Sequence, residues 1–282
     1  MKERFVKLQQ ENFYNSLLKR RRLNKMKSMN AIYIGGPTVI IEMAGFRFIT
    51  DPTFDPAGSL YFYAGGKLSL EKLQGPSEVN IGKIDFILLS HDQHPDNLDN
   101  SGRKLLVEAT HTFTTKSGSK RLGGASIGLD PWESHALTTP DGSVITITAT
   151  PARHGPAGIE PIAGDVIGFV LTMKGQSNHE IYITGDTVFY EGVAAVAKKF
   201  KPEFIFLFAG AARTRGPFNL TMGTNDAIDT AFAFPDASII PLHYEGWKHF
   251  TQNENDLEKA FEVIGIRNRL KVLKAGVPEK LF

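Results

Sequence analysis

Residues 84–97 read Ile-Asp-Phe-Ile-Leu-Leu-Ser-His-Asp-Gln-His-Pro-Asp-Asn. Ile84–Leu89 is a near-continuous apolar run, as expected of a strand buried on both faces. The loop that follows carries His91, His94 and Asp96 within six residues. A rigid sheet fixes side chains at a strand end, so groups on one edge can converge on a point. The same loop also suits a helix N-terminus, with Asp96 or Asp99 as its cap, and the two readings are compatible. A helical stretch is expected at Leu98–Val107.

Three further positions stand in the same relation to an expected strand. His154 follows Val144–Ala149, Asp186 follows Glu180–Thr184 inside Gly185-Asp186-Thr187, and His243 follows Ser238–Pro241. Alone, each has an ordinary explanation as a polar loop residue, and aspartate commonly opens turns. The ordered set of four strand-end sites carries the weight. Imidazole and carboxylate suit zinc, manganese or iron(II), whereas calcium and magnesium prefer oxygen shells. The chain has no cysteine, which excludes disulfides and thiolate metal sites. His111, His135, His179 and His249 lack the strand-end context and are left out of the metal set.

Outward from these sites the pattern is regular. Ala31–Ile34, Thr38–Met43 and Phe46–Thr50 read as consecutive antiparallel strands with tight connections, the third ended by Asp51-Pro52. Val166–Met173 and Phe204–Leu207 add strands, and helices are expected near Val188–Lys199, Thr224–Phe232 and Glu254–Ile264. Meanders followed by strand–helix alternation, in both halves, suit two mixed sheets packed face to face with helices outside. The 282 residues, 41% hydrophobic and 22% charged, are ordinary for a globular protein with a substantial core.

The expected domain spans residues 30–282, preceded by a basic helical extension over residues 1–29. Through Asn30 the chain holds nine lysines and arginines against two glutamates, a local +7 within a total of +2. Phe5, Leu8, Phe13, Leu17 and Leu18 are compatible with an amphipathic helix there. It reads as a helix packed on the domain, or as an arm for a nucleic acid or a membrane surface. No apolar run approaches the roughly 20 residues that span a bilayer. The basic start lacks the apolar stretch of a secretory signal, so a cytoplasmic protein is the expectation. Homo-oligomerisation is left open.

The runs LLSHDQHPDNLD, TPARHG, YITGDT and IIPLHYEG together resemble the metallo-β-lactamase superfamily. Its pattern is H-x-H-x-D-H, a later histidine, a later aspartate in G-D-[ST], and a final histidine. The opening AIYIGGPTVIIEMAGFRFITDPTFDP is similar to the branch of ascorbate-6-phosphate lactonases and N-acyl-phosphatidylethanolamine phospholipases D. The resemblance covers the chain from about Ala31 onward. It implies an α/β fold, a four-layer αββα sandwich with a metal site at one edge between the sheets. It also implies that His91, His94 and His154 hold a first metal, that Asp96 and His243 hold a second, and that Asp186 bridges them.

Two departures bear on that assignment. Two residues, not one, separate His91 from His94, so counting back from Asp96 makes Asp92 a competitor for His91. Asn97 occupies the place of the last histidine, and a neutral amide is a poorer ligand than imidazole for zinc-like metals. One or two ions remain open on this ground, with Zn2+ the first expectation and Mn2+ or Fe2+ the alternatives.

The implied activity is hydrolysis of a small, anionic ester, lactone or phosphoester, with Asp96 or Asp186 orienting the attacking water and taking its proton. Arg153, Arg213 and Tyr244 are the candidate substrate contacts, arginine because it suits carboxylate and phosphate. A phosphodiesterase on lipid or nucleic acid, and a metal-binding protein with little catalysis, are the competing readings. No P-loop or G-x-G-x-x-G signature supports nucleotide-cofactor chemistry.

Overall fold

The computed structural model describes residues 28–63, 68–175 and 178–282. The basic segment through residue 27, with its expected helix and its polyanion-arm reading, lies outside the described residues.

The first sheet has seven strands: β1 (Met29–Gly35), β2 (Thr38–Met43), β3 (Phe46–Thr50), β6 (Phe86–Leu88), β7 (His111–Thr115), β8 (Ser126–Leu129) and β15 (Pro278–Lys280), ordered β15-β1-β2-β3-β6-β7-β8. β1 to β3 form an antiparallel meander, and β3, β6, β7 and β8 run parallel. β4 (Leu60–Tyr63) and β5 (Leu68–Glu71) make a separate hairpin. The second sheet comprises β9 (Ser134–Thr138), β10 (Val144–Pro151), β11 (Ile167–Lys174), β12 (His179–Ile183), β13 (Phe204–Phe208) and β14 (Ser238–Leu242), ordered β14-β13-β12-β11-β10-β9. It is antiparallel through β12 and parallel from β12 to β14.

The apolar run of residues 84–89 has a direct physical reading. Phe86 and Leu88 face the core between the sheets, while Ile87 and Leu89 face the outer core of the first sheet. On β13, Phe206 and Phe208 likewise enter the inter-sheet core, and Ile205 and Leu207 enter the outer core of the second sheet. With both faces covered, alternation disappears from the sequence. Each fully buried phenylalanine contributes roughly 2–3 kcal/mol by burial.

Six helices complete the layers among the described residues: α1 (Asn100–Leu105), α2 (Lys116–Leu122), α3 (Glu160–Ala163), α4 (Glu191–Lys199), α5 (Thr224–Ala233) and α6 (Glu254–Val263). Leu105 of α1 packs on Ile87 and Leu89 outside the first sheet, and Val193, Ala227 and Phe261 of α4, α5 and α6 cover the second. The architecture is the expected αββα sandwich. Asp99, not Asp96, caps α1, its Oδ1 accepting from the Gly102 amide at 2.7 Å. α4 starts three residues later than expected. The Val188 amide is bound by the Arg153 carbonyl and the Phe189 amide by Asp226, which holds that entry segment out of the helix.

Candidate metal centre

The strand ends converge as the sheet directions require. β12, β13 and β14 run parallel and β10 shares the direction of β12, so residues 154, 186 and 243 emerge at one edge. The loop after β6 is tied to that edge by the Ile167 amide, which donates to the Ser90 carbonyl at 3.1 Å. Buried Asp51 fixes the loop from behind, accepting the Ser90 amide at 2.6 Å. The His94 carbonyl accepts from the amides of Asn97 and Leu98, so the chain turns at Pro95 and returns Asp96 towards the site.

His91, His94, His154 and Asp186 place one ligand atom each within 4.8 Å of one another. His91 Nε2 and His154 Nε2 both approach His94 Nδ1, at 2.9 and 3.1 Å. Asp186 Oδ2 lies 3.5 Å from His154 Nε2 and 4.0 Å from His91 Nε2. The Leu220 carbonyl can only accept, so His154 Nδ1 donates to it at 2.8 Å. In the neutral ring the lone pair is then on Nε2, aimed inward. One atom, His94 Nδ1, cannot satisfy two imidazole nitrogens and a carboxylate. A cation at their centre can, and the nitrogen-rich donor set fits zinc, manganese or iron(II).

Asp186 depends on the glycine before it. Gly185 has φ +62°, and a Cβ there would stand 2.7 Å from the Ile167 carbonyl oxygen and 2.9 Å from Ser90 Cβ. Asp186 Oδ1 accepts His243 Nδ1–H at 2.9 Å, which leaves His243 Nε2 pointing towards Asp96, 3.6 Å from Oδ2. His243 itself is left-handed, φ +55°, its amide donating to the Gly36 carbonyl at 2.7 Å. Such a conformation costs about 1–3 kcal/mol and persists where the surroundings enforce it.

The electrostatics favour a cation. Burial, with the neighbouring imidazoles, holds His91 well below the usual histidine range, and burial and His154 bring His94 down to about 4. Burial alone would raise Asp96 and Asp186, but His249 and His243 outweigh it for Asp96, as His243 and His154 do for Asp186, and both fall below the carboxylate range. Burial would lower His243, yet Asp186 and Asp96 raise it. At neutral pH the pocket therefore presents lone pairs on His91 and His94 beside two carboxylates.

Asp92, the competitor for His91, is turned away. Arg121 donates to both its carboxylate oxygens, Nε at 2.9 and 3.1 Å and Nη2 at 2.5 Å, while Arg103 binds its carbonyl. Asp92→Asn is expected to keep the wild-type metal content and to lower stability by about 1–3 kcal/mol. Elemental analysis beside a urea melt checks both, and loss of metal would return Asp92 to the ligand set.

The candidate substrate contacts separate. Arg153 lies beside His154, its guanidinium 4.4 Å above the Tyr190 ring. Arg213 is exposed, its guanidinium bonded to Asn219. Tyr244 does not reach the site: it is buried in the outer core, stacked on Tyr33, with its hydroxyl on Glu254. The left-handed turn at His243 sends the next side chain to the opposite side.

The residue that sequence reasoning missed is His249. Its Nε2 donates to Asp96 Oδ2 at 2.9 Å, and its side chain is 8% exposed. It lies mid-loop, six residues after His243, so the strand-end criterion passes over it. The usable signal is the imidazole missing at Asn97 together with a second histidine, after His243, in the loop that follows β14.

The sequence model of the beta-lactamase superfamily domain matches residues 46–244. UPF0173 protein YddR of Bacillus subtilis is 24% identical over 257 residues, 88% of this chain and 98% of that protein. A UPF0173 metal-dependent hydrolase of Pelotomaculum thermopropionicum is 26% identical over 259 residues, with the same coverage. Among solved structures, a metal-dependent hydrolase candidate from Veillonella parvula superposes with TM-score 0.77 at 19% identity, covering 90% of this chain and all of that one. An isothiocyanate hydrolase from Delia radicum gut bacteria gives 0.74 at 23% identity, covering 89% and 98%. The matches bear on the superfamily and do not single out the lactonase and phospholipase D branch. With its sandwich, its ordered histidine and aspartate sites and this match over most of its length, the chain belongs to the metallo-β-lactamase superfamily and is a metal-dependent hydrolase.

Proposed function

We propose that His91, His94, His154 and Asp186 hold a zinc-like ion, with Asp96 and His243 beside it, and that the enzyme hydrolyses a small, anionic ester, lactone or phosphoester. The observation that carries this reading is the convergence of three imidazoles and one carboxylate within 4.8 Å. A bound ion of this type brings the pKa of water down toward about 7 and polarises the oxygen of the bond under attack. Asp96 is ionised and buried, and its Oδ1 has no hydrogen-bond partner among the described residues, which suits it to orient water and take its proton. Asp186 sets the His243 ring through Nδ1.

A cavity of about 300 Å³ opens beside His154, lined also by Arg153, Lys116, Asp130 and Glu160. That volume suits a small molecule. Lys116 is engaged by Asp130 and Glu133, so the contact to a substrate anion falls to Arg153, whose Nη1 is 3.7 Å from Glu191. The test is a kinetic panel of anionic esters, lactones, phosphoesters and an isothiocyanate, the last because of the gut-bacterial enzyme that shares the fold. Turnover of one class, abolished by chelator, is expected, with Arg153→Ala raising KM by about 10-fold or more. No turnover of any class by the metal-loaded protein would contradict the proposal, and an unchanged KM would remove Arg153 from it.

A further inference from the structure

A second cluster adjoins the first and contains the histidine that the sequence pattern does not supply. His249 Nε2 lies 2.9 Å, and His243 Nε2 3.6 Å, from the same carboxylate oxygen, Asp96 Oδ2. Ligand atoms around a tetrahedral ion with bonds of 2.0–2.1 Å stand about 3.3 Å apart, a value these two separations bracket. Asp96 Oδ1, His243 Nε2 and His249 Nδ1 are buried and have no hydrogen-bond partner among the described residues. Buried polar atoms are ordinarily paired, so the orphaned His243 Nε2, facing the Asp96 carboxylate at 3.6 Å, marks a missing partner. Asn97 is also fully buried, with neither amide atom hydrogen bonded among the described residues.

The loop that carries His249 is built to hold it. The Gly246 carbonyl accepts the Leu73 amide at 2.7 Å, and the Lys248 amide donates to the Glu71 carbonyl at 3.1 Å, which docks residues 246–248 on the end of β5. Trp247 packs on Tyr61 at 5.6 Å and under Lys72 at 5.4 Å. On the other side, the Arg213 amide donates to the His249 carbonyl at 3.0 Å. The Phe250 ring lies against both imidazoles, 4.6 Å from His249 and 4.7 Å from His243. A side chain fixed from both flanks is pre-organised for coordination.

We propose that Asp96, His243 and His249 form a second metal position, in which His249 from the loop after β14 takes the place that Asn97 leaves empty in the H-x-H-x-D-H pattern. The proposal rests on the metal-centre reading above but assigns a ligand that the pattern does not contain. It predicts a two-ion enzyme despite the asparagine. A purely hydrogen-bonding role for His249, donating to Asp96, predicts instead that the second ion binds without it.

The experiment measures zinc stoichiometry and affinity on the full chain, by elemental analysis and competition with a chromophoric chelator, with Co2+ absorption spectra as a second readout. The wild type is expected to bind two ions. His249→Gln should keep one ion tightly and bind the other more than about 100-fold more weakly, since loss of even an outer-shell partner costs 10- to 100-fold. The double variant His249→Gln/Asn97→His should regain the second ion. A wild type that binds one ion, a His249→Gln variant that holds both with unchanged affinity, or a folded double variant that stays at one ion would each overturn the proposal. A wild type that binds no ion would overturn the metal-centre reading as well, and His154→Ala, which spares the second cluster, separates the two.

Discussion

Asp186→Ala is expected to lose tightly bound metal and to retain no more than about one thousandth of the wild-type hydrolytic rate. Asp186 is 1% exposed and serves the site twice. Its Oδ2 faces His91 and His154, and its Oδ1 fixes the tautomer and orientation of His243. Substitution therefore removes the carboxylate of the first cluster and releases a ring of the second. An ion acting as Lewis acid is worth several kcal/mol at the transition state, and about 4 kcal/mol corresponds to roughly 10³-fold in rate. Metal content and kcat/KM on the best substrate of the panel are the measurements, with a thermal melt to confirm folding. A folded Asp186→Ala variant with wild-type metal and rate would show that the three histidines suffice.

The second large effect is on stability. Lys72→Ala is expected to cost about 3–5 kcal/mol in urea denaturation, because it strands the buried Asp99 carboxylate. Lys72 is 3% exposed and Asp99 1%, and their ion pair measures 3.0 Å. Burial lowers the Lys72 pKa even against the pull of Asp99. Asp99 also caps α1 and accepts the Asp55 amide at 2.6 Å, so this pair ties the β4–β5 hairpin to the helix that follows the ligand loop. Lys72→Met keeps the stem volume but not the charge, and should be nearly as costly. A change under about 1 kcal/mol would mean that the backbone donors alone stabilise Asp99.

The strands that stand out most plainly in the sequence are those buried on both faces. β6, β13 and β14 stand out as short apolar runs because each lies between two cores. β7 reads His-Thr-Phe-Thr-Thr and carries no such signal, although four of its five residues are buried. Its threonines are polar by composition and buried by position, which periodicity does not register. β8 and β9 are half exposed and lie near sheet ends, and the β4–β5 hairpin gains its meaning from Lys72 and Trp247, a contact between distant parts of the chain.

The site divides in the same way. His91, His94, His154, Asp186 and His243 follow strands; strand direction brings the last three to one edge, and the Ile167–Ser90 hydrogen bond ties the loop of the first two to it. His249 and Asp51 do not announce themselves. Asp51 reads as a strand terminator, yet its buried carboxyl holds the Ser90 amide, and burial raises its pKa well above the usual range. Asp92 shows the converse, a competitor for His91 in the sequence whose carboxylate is taken by Arg121.

The most direct test of the account is the metal content of the wild-type chain purified without chelator, measured by elemental analysis before and after reconstitution with zinc. The account predicts a near-stoichiometric transition metal, rising to two ions per chain on reconstitution. Protein that carries none and takes up none would contradict it, and would leave a sandwich fold whose converging histidines serve some other end.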